Sequence, residues 1–214
     1  MRAVEFLRAS LIEVGAAPPA PKPEPVTQPR EPARAAQRSN GQSPSTISMG
    51  LGAGALQSGG GLGPNGMLAA SIAWQSSATT GVRMQALLPF TSAVASGPEG
   101  DVSVRPTLIG LSLGWSPFKW KAAEAFVDAG LHAVFISLSA QASPGYVAQD
   151  KTRAMVTPLV GAGLLLFPGR LRLRLSGVTG AGLQREHVHF EGREVARWGE
   201  WLAGGFATLE VGID

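Results

Sequence analysis

Gly169 to Gly177 reads GRLRLRLSG, so Arg170, Arg172, Arg174 and Ser176 alternate with Leu171, Leu173 and Leu175. A strict period of two puts the arginines on one face of a β-strand and the leucines on the other, a sorting no helix can produce. The alternation recurs from Thr46 onward. Ile47, Met49, Leu51, Ala53 and Ala55 oppose Ser48, Gly50, Gly52 and Gly54; Leu68, Ala70, Ile72 and Trp74 oppose Ser71, Ala73 and Gln75; Val82, Met84, Ala86 and Leu88 oppose Arg83 and Gln85. Ile109 to Trp115 oppose Gly110, Ser112 and Gly114, Val127 to Ala133 oppose Glu124, Asp128, Gly130 and His132, and Val156 to Leu166 oppose Thr157, Gly161 and Gly163. The arginine strand is the seventh, and Ala203, Ala207, Leu209, Val211 and Ile213 oppose Thr208 and Glu210 in an eighth. Phase slips near Pro106 and beyond Phe135 read as bulges or as strand extensions past an apolar band.

Eight strands are enough to close the smallest membrane barrel, whose apolar face meets lipid and whose polar face lines the interior. The connections alternate between short (Ser76–Thr79, Ser116–Ala122, Pro168–Gly169) and longer (Ser58–Gly66, Ala95–Asp101, Gln141–Lys151, Arg185–Glu200). That is the layout of an up-and-down transmembrane barrel with both ends of the chain on the short-turn, periplasmic side. The aromatics sort the same way: Trp74, Trp115 and Phe167 fall at the short-turn ends, with Phe118 and Trp120 beside them, and Phe90, Phe135 and Trp201 fall toward the long loops. Two such belts are what a bilayer interface selects. The apolar face carries no charge within the band, whereas the other carries Arg83, Glu124, Asp128, His132, Arg170, Arg172, Arg174 and Glu210. A soluble barrel would show the reverse. A lumen of this size is filled by its own side chains, so a paired charge network, with inward glycines making room for arginine, predicts a plug in place of a pore.

Composition agrees: 15% charged residues is low for a water-soluble domain and 28 glycines is high. The net charge of +3 is scattered, without the basic stripe that nucleic acid requires, and the absence of cysteine excludes disulfides and thiolate metal sites. No apolar run is long enough for a spanning helix. Residues 1–15 place Val4, Leu7, Leu11 and Val14 at helical spacing, predicting a short amphipathic α-helix. Residues 16–45 hold Pro18 to Pro44, half of the 16 prolines among polar residues, and predict a disordered linker. Extended at about 3.1 Å per residue, Pro18 to Pro44 reaches up to about 80 Å. The barrel is assigned to 46–214. No export signal is recognisable at Met1, so an upstream signal peptide and periplasmic domain, ending in the residue 1–15 helix, are expected.

Three short segments carry a resemblance: LGAG at Leu51–Gly54, GREVARWG at Gly192–Gly199 and LEVGI at Leu209–Ile213. The chain resembles the small eight-stranded outer-membrane barrels of the OmpA/OmpX-like type, and more narrowly envelope proteins of myxobacterial kind in which a Pro-rich linker precedes a C-terminal barrel. The resemblance implies an all-β barrel in the bacterial outer membrane, with lipid as its surroundings. Barrels of this type usually end in an aromatic residue read by the assembly machinery; here Asp214 follows Ile213.

No constellation for catalysis or for a cofactor emerges. His187 and His189 form an H-x-H with Glu191 alongside, but without further placed ligands they read as solvated loop residues. Asp128 and His132 share a face with Ser112 in reach, yet four residues along a strand separate two side chains by about 13 Å, too far for a triad. The segment GGGLGPNG at Gly59–Gly66 joins two strands and opens no helix, so it reads as a turn and not as a phosphate loop. Two functions follow: a structural, anchoring barrel whose residues 1–45 reach a periplasmic partner or upstream domain, or a surface-binding or adhesion barrel acting through its long loops, Arg185–Glu200 above all.

Overall fold

The computed structural model describes residues 46–190 and 193–213; the helix expected over 1–15, the linker over 16–45, Glu191 and Asp214 lie outside the described residues. The strands are β1 (Thr46–Ser58), β2 (Asn65–Gln75), β3 (Thr80–Pro89), β4 (Ala93–Gly97), β5 (Gly100–Lys119), β6 (Ala123–Ala142), β7 (Lys151–Leu166), β8 (Leu171–Gly180), β9 (Glu186–Phe190), β10 (Arg193–Trp198) and β11 (Leu202–Ile213). The order β3-β2-β1-β11-β8-β7-β6-β5 is antiparallel throughout and closes on itself through the β3–β5 pairing. The predicted eight-stranded up-and-down barrel is what forms, and closure leaves the ring without an open edge.

Following register partners from Thr46 through Gln75, Gly81, Gly114, Asp128, Gly161, Val178 and Gly204 returns to β1 at Leu56, ten residues beyond the start. At about 3.3 Å per residue and about 4.8 Å between strands, this stagger inclines the strands by about 40° to the barrel axis. The alternating residues fall as their polarity demands: Met49, Leu51, Leu111, Leu113, Leu131, Leu171 and Leu209 are exposed outward, whereas Ser48, Ser112, Glu124, Thr208 and Glu210 are buried inward. Trp74 and Trp115 face outward at the short-turn end, and Phe90, Phe135 and Trp201 at the long-loop end. The same geometry puts the two levels about 24 Å apart along the axis, the height of a lipid-facing band.

Two expectations are settled by the fold. The phase slips near Pro106 and beyond Phe135, read as bulges or as strand extensions, are extensions: β5 and β6 each run unbroken for 20 residues, and their only register shift is between Trp115 and Phe118. What changes there is the inward face, where Val102, Val104, Leu108, Val134, Ile136 and Leu138 are buried. Apolar residues move to the other face because the interior turns apolar, not because the backbone slips. The second is a correction and concerns Arg185–Glu200, expected as a solvated loop. It folds into the β9–β10 hairpin, which turns Val188, Ala196 and Trp198 into the same apolar cluster. Backbone amides fasten the hairpin over the barrel end: Arg197 N donates to the Gly60 carbonyl and Gly199 N to the Ser58 hydroxyl Oγ, both at 2.8 Å.

The inward glycines make room, but chiefly for residues other than arginine. A Cβ on Gly161 would lie 2.3 Å from Asp128 Oδ1, and one on Gly110 would lie 2.1 Å from the His132 ring. Gly110→Ala is therefore expected to destabilise the barrel by about 1–3 kcal/mol, since His132 is packed by β5 and β7 and must leave its rotamer. Chemical denaturation in detergent measures this, and an unchanged midpoint would mean the ring swings aside freely.

Candidate functional site: the polar layer of the lumen

Inward residues of the short-turn half form a charged cluster centred on Glu210 of β11, which is 1% exposed. Its register partner on β8 is Arg172, whose Nε stands 3.2 Å from Glu210 Oε2. Arg83, across the lumen on β3, brings Nη1 to 2.8 Å from Glu210 Oε1 and donates from the same nitrogen to Ser71 Oγ at 2.8 Å. Arg174, two residues along β8, pairs with Asp128 of β6 at 2.5 Å and lies 4.0 Å from Glu210. Its guanidinium carbon also stands 3.3 Å over the Phe126 ring, a cation–π contact from the same strand as Asp128. Five of the eight barrel strands (β2, β3, β6, β8 and β11) are thus tied across the lumen by side chains. Their contacts to Glu210 are at ion-pair distance but off the hydrogen-bond axis, for neither carboxylate oxygen, nor Arg172 Nε, has an aligned hydrogen-bond partner.

The other residues expected in this network stand apart. Glu124 is buried but sits at the rim, 3.5 Å from Lys119. Arg170 precedes β8 and is exposed at the short-turn end, where its carbonyl accepts from Gly212 N at 2.7 Å. His132 is buried higher, in the apolar layer beside Thr157, its partner on β7; His132 Nδ1 and Thr157 Oγ1 have no hydrogen-bond partner there. Above the charged layer the lumen is lined by Leu56, Met67, Leu87, Leu108, Leu159 and Phe206, under the Trp198 of the hairpin.

His187 and His189 are exposed on β9 with ring centroids 6.0 Å apart. His187 Nδ1 lies 2.8 Å from Glu194, which also pairs with Arg197. The Arg197 bond, then the His187 bond, hold the Glu194 carboxyl below its usual range, and Glu194 in turn raises Arg197. Among the described residues no group of three or more metal-ligating side chains comes together. Sequence reasoning missed Trp198, Phe126 and Ser71. Phe126 shared the inward beat of Glu124 and Asp128 and was readable; Trp198 was not, because β9 and β10 are too short to show a period.

No family model matches the chain, and no curated protein does either. Solved structures do. A major outer membrane protein from Thermus thermophilus superposes with a TM-score of 0.58 at 11% identity, over 78% of this chain and 99% of that one. Neisserial surface protein A matches at 0.49 and 10%, over 80% and 98%, and OprG from Pseudomonas aeruginosa at 0.49 and 9%, over 80% and 94%. At such identities the likeness is one of fold: a closed eight-stranded barrel of outer-membrane type.

Proposed function

We propose that this protein is an anchoring barrel of the bacterial outer membrane, sealed through its lumen, with residues 1–45 as a periplasmic tether to a partner or neighbouring domain. The observation that carries the reading is the two-layer interior. A cross-braced ion cluster fills the short-turn half, and an apolar cluster under the β9–β10 hairpin fills the long-loop half. Ions meet charges already engaged in the first layer and a dry barrier in the second, where dehydration is costly. β1 and β11 both have their outer ends at the short turns, so a chain inserted in the usual sense holds both on the periplasmic side. No enzymatic role is assigned. In planar bilayers the purified protein is expected to give no steady single-channel steps; large, sustained conductance would overturn the sealed-barrel reading.

A second reading rests on one observation at the other end. Between the protruding ends of β5 and β6, residues 143–150 and β9 lies a cleft of about 670 Å³, lined by Leu138, Tyr146, Lys151 and His187 among others. A cleft of that size suits a small ligand, so a surface-binding barrel acting through its long loops is the alternative. Exchanging residues 185–200 for a short turn should abolish cell or glycan adhesion on this reading and leave the anchoring role intact.

A further inference from the structure

Above the long-loop aromatic belt the outer face of the barrel changes from apolar to polar, and one row across it is built of donors. Arg105 on β5 is the register partner of Ser137 on β6, and Ser137 that of Thr152 on β7. All three are exposed, while Val104, Pro106, Ile136 and Leu138 beside them are turned inward and buried. Directly opposed residues hold their Cβ atoms about 5 Å apart, so the guanidinium and the two hydroxyls can reach one group the size of a phosphate. Arg105 has no ion-pair partner among the described residues. Ser103 and Ser139 stand above the row and Thr107 and Phe135 below it, none of them acidic. Asp150, next above Thr152, is turned to the strand edge, where its Oδ1 accepts from Ala140 N at 3.1 Å.

The depth of the row matters as much as its chemistry. It lies two residues beyond Phe135, about 5 Å further from the bilayer centre at the strand tilt of this barrel. Lipid headgroups occupy a layer of about 5–8 Å outside the hydrocarbon. On the hydrocarbon side of the belt the same three strands expose Ile109, Leu131, Val156 and Val160. A molecule that meets both surfaces carries an anion at one end and acyl chains at the other. We propose that the Arg105–Ser137–Thr152 row binds the phosphate group of a lipid in the outer leaflet, with the acyl chains lying over Ile109, Leu131 and Val156. Arg105 gives paired N–H donors to two phosphate oxygens, and the hydroxyls donate to what remains. This rests on the insertion sense of the anchoring reading, long loops outward, and goes beyond it: the anchor selects a lipid neighbour by its headgroup. None of the three residues lines the cleft beside β9.

The test is native mass spectrometry of the full-length protein in a neutral detergent, offered equal amounts of phosphatidylglycerol and a galactosyl diacylglycerol with the same acyl chains. The wild type is expected to retain the phosphate lipid about fivefold over the galactolipid, the ratio due to one arginine near a headgroup. Arg105→Gln should lose that preference, and Lys121→Gln, at the opposite end of the barrel, should keep it. Inorganic phosphate at the concentration of the lipid should displace nothing, since it lacks the chains. Equal retention of the two lipids by the wild type, an unchanged preference in folded Arg105→Gln, or displacement by inorganic phosphate would overturn the site. If Arg105→Gln does not fold, the paired change Ser137→Ala and Thr152→Ala takes its place, and an unchanged preference there overturns the site equally. Lipid in detergent reaches every face of the barrel, so these outcomes do not depend on the insertion sense, which protease access to the long loops in cells tests separately.

Discussion

Replacing Glu210 by Ala is expected to cost the barrel about 3–5 kcal/mol, among the largest effects of any single substitution. The cost does not come from losing a favourable ion pair, since a buried pair can be no better than an apolar one of the same shape. It comes from what is left behind: Arg83, Arg172 and Arg174 all stand within 4.0 Å of this carboxylate, and among the described residues only Arg174 has another carboxylate at ion-pair distance. Urea unfolding in detergent, together with the temperature at which the compact gel band converts to the unfolded one, measures the loss. Glu210→Gln keeps the shape and removes the charge, so it should fall nearly as far. If Gln were tolerated and Ala were not, packing and not charge would be the cause.

The second large effect is expected at Trp198, the largest of the fully buried side chains. Trp198→Ala should remove about 3–5 kcal/mol of packing from the long-loop half. The loss should be local in consequence, because β9 and β10 pair only with each other and are held to the barrel by few backbone bonds. Amide exchange is expected to quicken through β9 and β10 while β2 and β8 keep their protection and the protein keeps its heat-resistant gel mobility. Uniform loss of protection would mean that the hairpin and barrel unfold as one unit. Leu183→Ala, at a side chain 70% exposed, should leave both readouts unchanged.

The alternation was legible because each barrel strand has a lipid face that must be apolar, so Leu171, Leu173 and Leu175 could point only one way. The positions of Arg83, Asp128, Arg172, Arg174 and Glu210 on the inner face followed from the same rule. Their partners did not. Arg83 reaches Glu210 across the lumen only because the ring closes with a stagger of ten, a quantity written in the pairing of β1 with β11 and not in any one strand. The apolar half of the lumen was illegible for a different reason. With Val102, Val104, Val134 and Ile136 inside and the protruding outer face polar at Arg105, Ser137 and Ser139, the alternation continues while its meaning reverses, which in sequence looks like a slip. His132, read as part of the charge network, packs into the space that Gly110 leaves beside it.

The seam between β1 and β11 joins the first barrel strand to the last, from Ile47 against Ile213 to Ser58 against Leu202. The other seven pairings in the ring join strands that follow one another along the barrel, but this one joins its first strand to its last and waits until β11 is in place. Until then both strands present rows of unpaired amides and carbonyls that hydrocarbon cannot accept and that another chain could template on. Bringing such distant segments together is also slow, since the entropy of closing the loop precedes any reward from pairing. Biogenesis of this barrel is therefore a race between closure and aggregation. It calls for an escort that shields the β1 edge until β11 arrives, and insertion must coincide with closure.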